Sequence, residues 1–306
     1  MPMIPSISHI SPKTVRENNT RLAQLFAFYL NNCPRMLDEQ TVMGLARECD
    51  LSIEEAMAHC IAALFELDVT REDRDFFTHW LCPAIEVQTP DRYRADRYFT
   101  DVKIPDQTRG KWRLCSDYLA PFEPFVCRDV RVLPDGRMLP QIAFFTERYD
   151  FPAVLENGRE WMTLLPNETV TTRPAIDAAS GRVLTYGMGL GYFAYHAAMK
   201  DDVTSVTVVD ISEDVLSLFR EIILPQIPNA HKIHLVCRDA FDFADKEMAG
   251  NFDFVFADIW HDAGDGIDPY LKMKAWETQF PDIRFSYWLE DTLRCYIDPS
   301  HWDIPK

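Results

Sequence analysis

The sequence predicts an α/β chain in which a parallel sheet with helices on both sides follows a helical region and a β meander. Three observations predict it. Apolar residues recur at helical spacing up to about Ile85, alternating strand patterns separated by turn residues run from Lys111 to Leu165, and strand and helix patterns alternate from Asn167 onward. The organisation read from this is a helical region over residues 1–110, a hairpin meander over 111–166 and an α/β domain over 167–306.

The helical elements come first. Residues 21–30 carry apolar side chains at helical spacing and stop before Pro34. Asp38 can cap a helix through Val42, Leu45 and Ala46, and Ser52 with Glu55 forms a capping box ahead of an apolar helix over 56–67. Thr70 and Asp73 open another, carrying Phe76, Phe77, Trp80 and Leu81. Residues 45–63 have the outline of a DNA-binding helix-turn-helix. Between 41 and 67, however, Arg47 stands alone against Glu48, Asp50, Glu54, Glu55 and Glu66. A reading helix must approach phosphates, so a helical bundle is expected instead.

The meander is read from two hairpins. Residues 125–133 and 137–145 alternate around Pro134-Asp135-Gly136, and 153–155 and 159–164 flank Asn157-Gly158, a strong short hairpin signal. Residues 90–121 have no clear period, and their Tyr93, Tyr98, Trp112 and Tyr118 are expected to pack against a neighbouring layer rather than line a pocket. Beyond a helix over 168–179, strands are expected at 183–186, 205–210, 233–238, 252–259 and 285–289, with helices at 192–199 and 213–223. No sixth or seventh strand has an obvious place. The sheet is short, or the meander completes it, or a partner subunit does.

Composition narrows the function. The 306 residues are 47% hydrophobic, which suits a globular core, and no stretch approaches the roughly 20 apolar residues of a membrane helix. The Pro- and Ser-rich start lacks the pattern of a secretory signal, so a cytoplasmic protein with no membrane partner is expected. Eight cysteines without a CxxC pair read as reduced thiols, and no metal is expected; His231 and His234 have no acids near them. A formal charge of −17, with no basic concentration, argues against nucleic acid as a partner. A small-molecule or peptide partner fits better.

The chemistry is carried by Arg182-Val-Leu-Thr-Tyr-Gly-Met-Gly-Leu-Gly-Tyr192. An apolar strand runs into Gly187-x-Gly189-x-Gly191 and then a helix, a pattern that lets a ligand lie against bare backbone. Asp210 ends the next strand, where an acid can accept from both hydroxyls of a ribose. Asp239-Ala240 ends the third strand, beside the expected adenine edge, and Asp258 lies near the end of the fourth. Each acid alone is as well explained as a helix cap or solvated strand end. Their order, each at a carboxyl end, is the informative part.

In these residues the chain resembles the class I S-adenosylmethionine-dependent methyltransferases, over about 167–291. The resemblance implies a Rossmann-like domain that binds S-adenosyl-L-methionine through Gly187, Gly189, Gly191, Asp210, Asp239, Ala240 and Asp258. It implies a methyltransferase and does not name the acceptor. A dinucleotide-binding domain would need glycine at 192, where this chain has Tyr192. The layout is also similar to spermidine synthases, which place a β-rich unit before the cofactor domain. Those enzymes carry an acid-containing first loop and a close acid pair after the fourth strand. Here Met188 and Leu190 fill the loop, and Asp258-Ile-Trp-His-Asp262 separates the acids.

Methyl transfer requires alignment of donor and acceptor and, for some acceptors, removal of a proton. Asp258 and His261 are the candidate catalytic residues, with Trp260 as an aromatic wall; the plain alternative is a loop whose Trp packs and whose acids cap the next helix. His196 reads as packed or solvated. The Asn-Pro-Pro-aromatic signature of nucleobase amino methylases is absent from the sequence. The helical region would then serve as a lid, an acceptor pocket or the surface of a homodimer. Aminopropyl transfer and a non-catalytic cofactor-binding role remain the alternatives.

Overall fold

The computed structural model describes residues 7, 10–248 and 250–301. In chain order its α-helices are α1 (Pro12–Asn32), α2 (Glu39–Cys49), α3 (Ile53–Leu64), α4 (Arg74–Phe76), α5 (Asp91–Arg94), α6 (Arg97–Asp101), α7 (Pro166–Ala178), α8 (Tyr192–Met199), α9 (Glu213–Leu218), α10 (Ala240–Glu247), α11 (Ala263–Glu277) and α12 (Glu290–Ile297). Its strands are β1 (Ile85–Gln88), β2 (Gln107–Arg109), β3 (Trp112–Leu119), β4 (Pro124–Val132), β5 (Met138–Phe145), β6 (Tyr149–Glu156), β7 (Arg159–Thr163), β8 (Gly181–Tyr186), β9 (Val203–Asp210), β10 (Ile233–Cys237), β11 (Phe254–Ala257) and β12 (Arg284–Tyr287). The chain divides into two compact units, one of residues 1–90, 118–149 and 294–306, the other of 91–117 and 150–293.

In the first unit the caps read at Asp38 and Ser52 are formed, whereas Asp73, at the start of α4, makes no side-chain cap. Asp38 accepts the Thr41 amide at 2.8 Å, and Ser52 and Glu55 close a reciprocal box at the start of α3. The helices do not form a bundle by themselves. Their apolar faces bury Leu139, Ile142 and Phe144 of the β4–β5 hairpin, in a sheet ordered β1-β5-β4. Asn19, fully buried on α1, locks this arrangement. Its Oδ1 accepts from Trp80 Nε1 at 3.0 Å and from the Met138 amide at 2.9 Å, while its Nδ2 donates to the Gly136 carbonyl at 3.0 Å. A buried amide with all these groups satisfied specifies one register of helix against hairpin.

The second unit holds the other hairpin and the parallel sheet. The strands expected over 111–166 are therefore present but belong to two sheets, since β6 and β7 join β2 and β3 in the order β2-β3-β6-β7. Asn157 and Gly158 both adopt positive φ, 51° and 78°, as a two-residue turn between twisted strands requires.

The parallel sheet has the order β10-β9-β8-β11-β12, with all four pairings parallel. This is a Rossmann-like α/β arrangement, the fold class expected from the sequence. Neither hairpin adds to it, so the sheet among the described residues has five strands. Every residue of β11 is buried, in keeping with helices on both faces. The strand order reverses between β8 and β11, and a ligand crevice is expected beyond the carboxyl ends there. No helix among the described residues is long and apolar enough to cross a membrane.

Helix α11 carries Gly264, Gly266 and Pro269, which hide it from a propensity reading. Its start is secured by an Asp262 capping box, and Gly266 is needed because a Cβ there would sit 2.9 Å from the Trp260 indole. Packing overrides weak local preference at this point.

Candidate functional site

A cavity of about 730 Å³ opens over the carboxyl ends of β8, β9, β10 and β11, a size within the range of ligand pockets. All the sequence-predicted cofactor residues except Gly191 line it, and so do both candidate catalytic residues, Asp258 and His261. Gly191 lies two residues beyond Gly189, as the cap of α8.

The glycine loop is built from positive-φ backbone, with φ of 94° at Gly187, 48° at Gly189 and 75° at Gly191. Close approach adds a second constraint. A Cβ on Gly187 would lie 1.9 Å from the Asp258 carbonyl oxygen, which locks the end of β8 against the end of β11. On Gly189 it would lie 2.1 Å from Met162 Sδ, and that sulfur also accepts the Leu190 amide at 3.3 Å. Met162, on β7, thus rests directly on the loop. Sequence reading gave it no role, because a residue of a hairpin carries no local sign of the loop it will cover.

Asp210 ends β9 and turns toward the loop. Its Oδ2 accepts the Met188 amide at 2.9 Å and its Oδ1 the Ser212 amide at 2.8 Å. Burial raises its carboxyl above the usual range, and these two amides work against that rise. Each oxygen keeps a further lone pair for a ligand hydroxyl. Asp239 caps α10 through Oδ1, which accepts from the amides of Phe241 at 2.8 Å and Asp242 at 3.2 Å, while Ala240 follows it into the helix. Both acids therefore combine a local structural task with a position on the cavity wall.

Asp258 follows β11. Burial pushes its carboxyl up to about 7. A residue not singled out in the sequence explains its surroundings. Glu168, in the first turn of α7, lines the same cavity, and burial together with the charges of Asp258 and Glu160 holds it well above the usual carboxylate range. Glu160, on β7, is raised by burial, with His261 working in the opposite direction. Glu168 reads in sequence as an ordinary helix-start acid, favourable near the positive end of the helix dipole. Only the folded structure, in which Glu168 and Asp258 line one cavity, reveals the pairing.

His261 is placed differently from Asp258. Its ring lies 6.2 Å from Trp161 between centroids, and its Nδ1 is 3.7 Å from the Asp262 carboxylate. Asp262 is the cap of α11, as the plainer sequence reading had it. His196 is not among the cavity residues. Its Nε2 lies 3.0 Å from Asp96, which also accepts the Tyr192 hydroxyl at 2.7 Å. Burial opposes the Asp96 charge, but the bonds from His196 and Tyr192 prevail and lower it to about 2.

The charge balance of the cavity is uneven. Glu156, Glu160, Glu168, Asp210, Asp239 and Asp258 line it, against Lys111 and Arg238, and Lys111 is already paired with Glu156. Trp112, Trp161, Trp260 and Trp288 add aromatic surface, so Trp112 has both the packing and the lining role. Such a lining favours a cationic ligand over an anionic one.

No family model and no curated protein matches the chain. Among 93 solved chains that do match is one described as SMU.776, a candidate methyltransferase complexed with SAH. It is 20% identical with a TM-score of 0.25, over 35% of this chain and 31% of that one. The match thus spans about a third of that protein's length, too loose a likeness to bear on the chemistry.

Proposed function

We propose that this chain is an S-adenosyl-L-methionine-dependent methyltransferase acting on a small-molecule or peptide acceptor. The observation that carries the reading is the convergence of Asp210, Asp239 and Asp258 with the glycine loop on one cavity, at the point where the strand order reverses.

The donor set fits the cofactor. Asp210 has acceptor capacity left for ribose hydroxyls, and Asp239 Oδ2 remains for an adenine amino group. Asp258, when ionised, would supply negative charge where a sulfonium would be held. Bound there, the cofactor supplies a methyl carbon to the acceptor's lone pair, with the carbon–sulfur electron pair leaving on a neutral thioether. The chain's own work is to orient the two reactants, to screen them from water with Trp161 and Met162, and to receive the acceptor's proton.

Isothermal titration with S-adenosylmethionine and S-adenosylhomocysteine tests the binding. Release of the demethylated product across a panel of amines, thiols and carboxylates tests the transfer. Absence of binding to either compound overturns the reading.

One observation favours a second reading. The excess of carboxylates in the cavity suits a donor without its own carboxylate, as aminopropyl transfer uses. Met188 and Leu190, in place of a loop acid, favour the intact donor. Tighter binding of decarboxylated S-adenosylmethionine than of the intact compound would select the second reading.

A further inference from the structure

The carbonyl of Leu190 belongs to the glycine loop and lies outside the hydrogen-bond ladder of α8, whose cap, Gly191, accepts the Tyr195 amide at 2.8 Å. Leu190 is fully buried, and a buried carbonyl without a donor is costly. The donor comes from α6. The Tyr98 hydroxyl donates to the Leu190 oxygen at 2.5 Å, and Tyr98 is itself fully buried, so the bond is made away from water. The Tyr98 ring meets those of Tyr192 and Tyr195 edge-on, with centroids 5.5 and 5.4 Å away. The sequence predicts the packing of this ring but carries no sign of the hydroxyl's hold on the loop.

Two acids fix α6 to the helix that the loop begins. Asp96 accepts the Tyr98 amide at 2.9 Å through Oδ1 and the Tyr192 hydroxyl at 2.7 Å through Oδ2, and its Oδ1 lies 3.0 Å from His196 Nε2. Asp101 accepts the Tyr195 hydroxyl at 2.6 Å. Among these side chains it is Tyr98 that reaches the loop itself. Asp210 on β9 accepts the Met188 amide, and Met162 on β7 accepts the Leu190 amide. The loop is thus held by groups from three elements, and Gly189, between the held points, lines the ligand cavity.

We propose that Tyr98 is a positioning residue for the ligand-binding loop, its hydroxyl fixing the Leu190 peptide so that the Gly189 backbone meets the cavity in a binding-ready shape. Tyr98 is not among the cavity residues, so it acts through the loop and not by touching a ligand. A loop already held in its bound shape loses less freedom when a ligand docks. That the ligand is S-adenosylmethionine rests on the transferase reading, whereas the hold on the loop does not.

The test compares two hydroxyl deletions in the full-length protein. Tyr98→Phe removes the bond to the loop, whereas Tyr195→Phe removes a bond between the same two helices and leaves the loop alone. Hydrogen exchange of the ligand-free protein is read at amides 188–191. Tyr98→Phe is expected to speed it by about tenfold and Tyr195→Phe to leave it nearly unchanged. Calorimetry with S-adenosylhomocysteine should show about three- to tenfold weaker binding for Tyr98→Phe and none of that loss for Tyr195→Phe. Loop exchange unmoved in Tyr98→Phe, or moved equally by both variants, makes Tyr98 merely structural and overturns the proposal. Should Tyr98→Phe fail to fold, the wild type decides. A hydroxyl proton bonded to a buried carbonyl exchanges slowly with water and gives a resolved proton resonance, and a fast-exchanging Tyr98 hydroxyl overturns the proposal. A wild type that binds no S-adenosylhomocysteine while its loop responds to Tyr98→Phe would sink the transferase reading and leave the positioning role standing.

Discussion

The Asp210 carboxylate accepts the Met188 amide at 2.9 Å, tying the end of β9 to the glycine loop that follows β8. The acid expected to hold a ribose thus also shapes the loop beside it. Asp210→Ala should cost about 2–3 kcal/mol of affinity for S-adenosylmethionine or its demethylated product. Asp210→Asn can keep one amide contact and should lose less. Calorimetric titration of both variants checks this, and equal affinities for alanine variant and wild type would remove the assignment.

The glycines of the loop should not be equally replaceable. Gly187→Ala drives a Cβ to 1.9 Å from the Asp258 carbonyl oxygen, backbone that cannot swing away, at a φ of 94°. A loss of about 3 kcal/mol or more in urea unfolding is expected. Gly189→Ala meets the flexible Met162 thioether at 2.1 Å and should cost less, about 1–2 kcal/mol. The reverse order would show that Met162 is held as rigidly as backbone.

Stability should fall as pH rises, and the sign follows from the direction of the shifts. Asp258 and Glu168 are both raised, so both bind protons more tightly in the folded chain than in the unfolded one. Their contribution is complete below the ordinary carboxylate value near 4. It is lost as pH rises through the folded value, about 7 for Asp258. Asp210, also raised, acts in the same direction. Asp258→Asn should be the more stable protein at high pH, by about 1–3 kcal/mol, with the difference shrinking toward low pH. Urea unfolding at several pH values measures it. A variant that tracks the wild type at every pH contradicts the raised carboxyl.

Proton removal by His261 is a separate expectation. Its ring lines the cavity beside Trp161, and its side chain is 42% exposed. If it takes the acceptor's proton, His261→Ala should lower turnover by roughly 10²–10⁴-fold and leave cofactor affinity nearly unchanged. Full activity of the variant across pH would leave that task to Asp258 and Glu168.

The amino-acid sequence by itself determined the local elements and their order. Alternation of strand and helix from Asn167, the glycine run at 187–191 and the acids at successive strand ends are local patterns, and local patterns dictate local conformation. Asn157-Gly158 specified its hairpin for the same reason, through the positive φ that its turn demands. What only the tertiary structure decided is which distant residues meet. Glu168 and Asp258 come to line one cavity although they are distant in sequence, and Met162 rests on Gly189 because the β6–β7 hairpin returns over the loop. The division of the two hairpins between separate sheets, with residues of β5 buried against the helices of the first unit, is likewise seen only in the folded chain. Such contacts depend on the shape and burial of whole layers, and residue spacing along the chain carries no record of them.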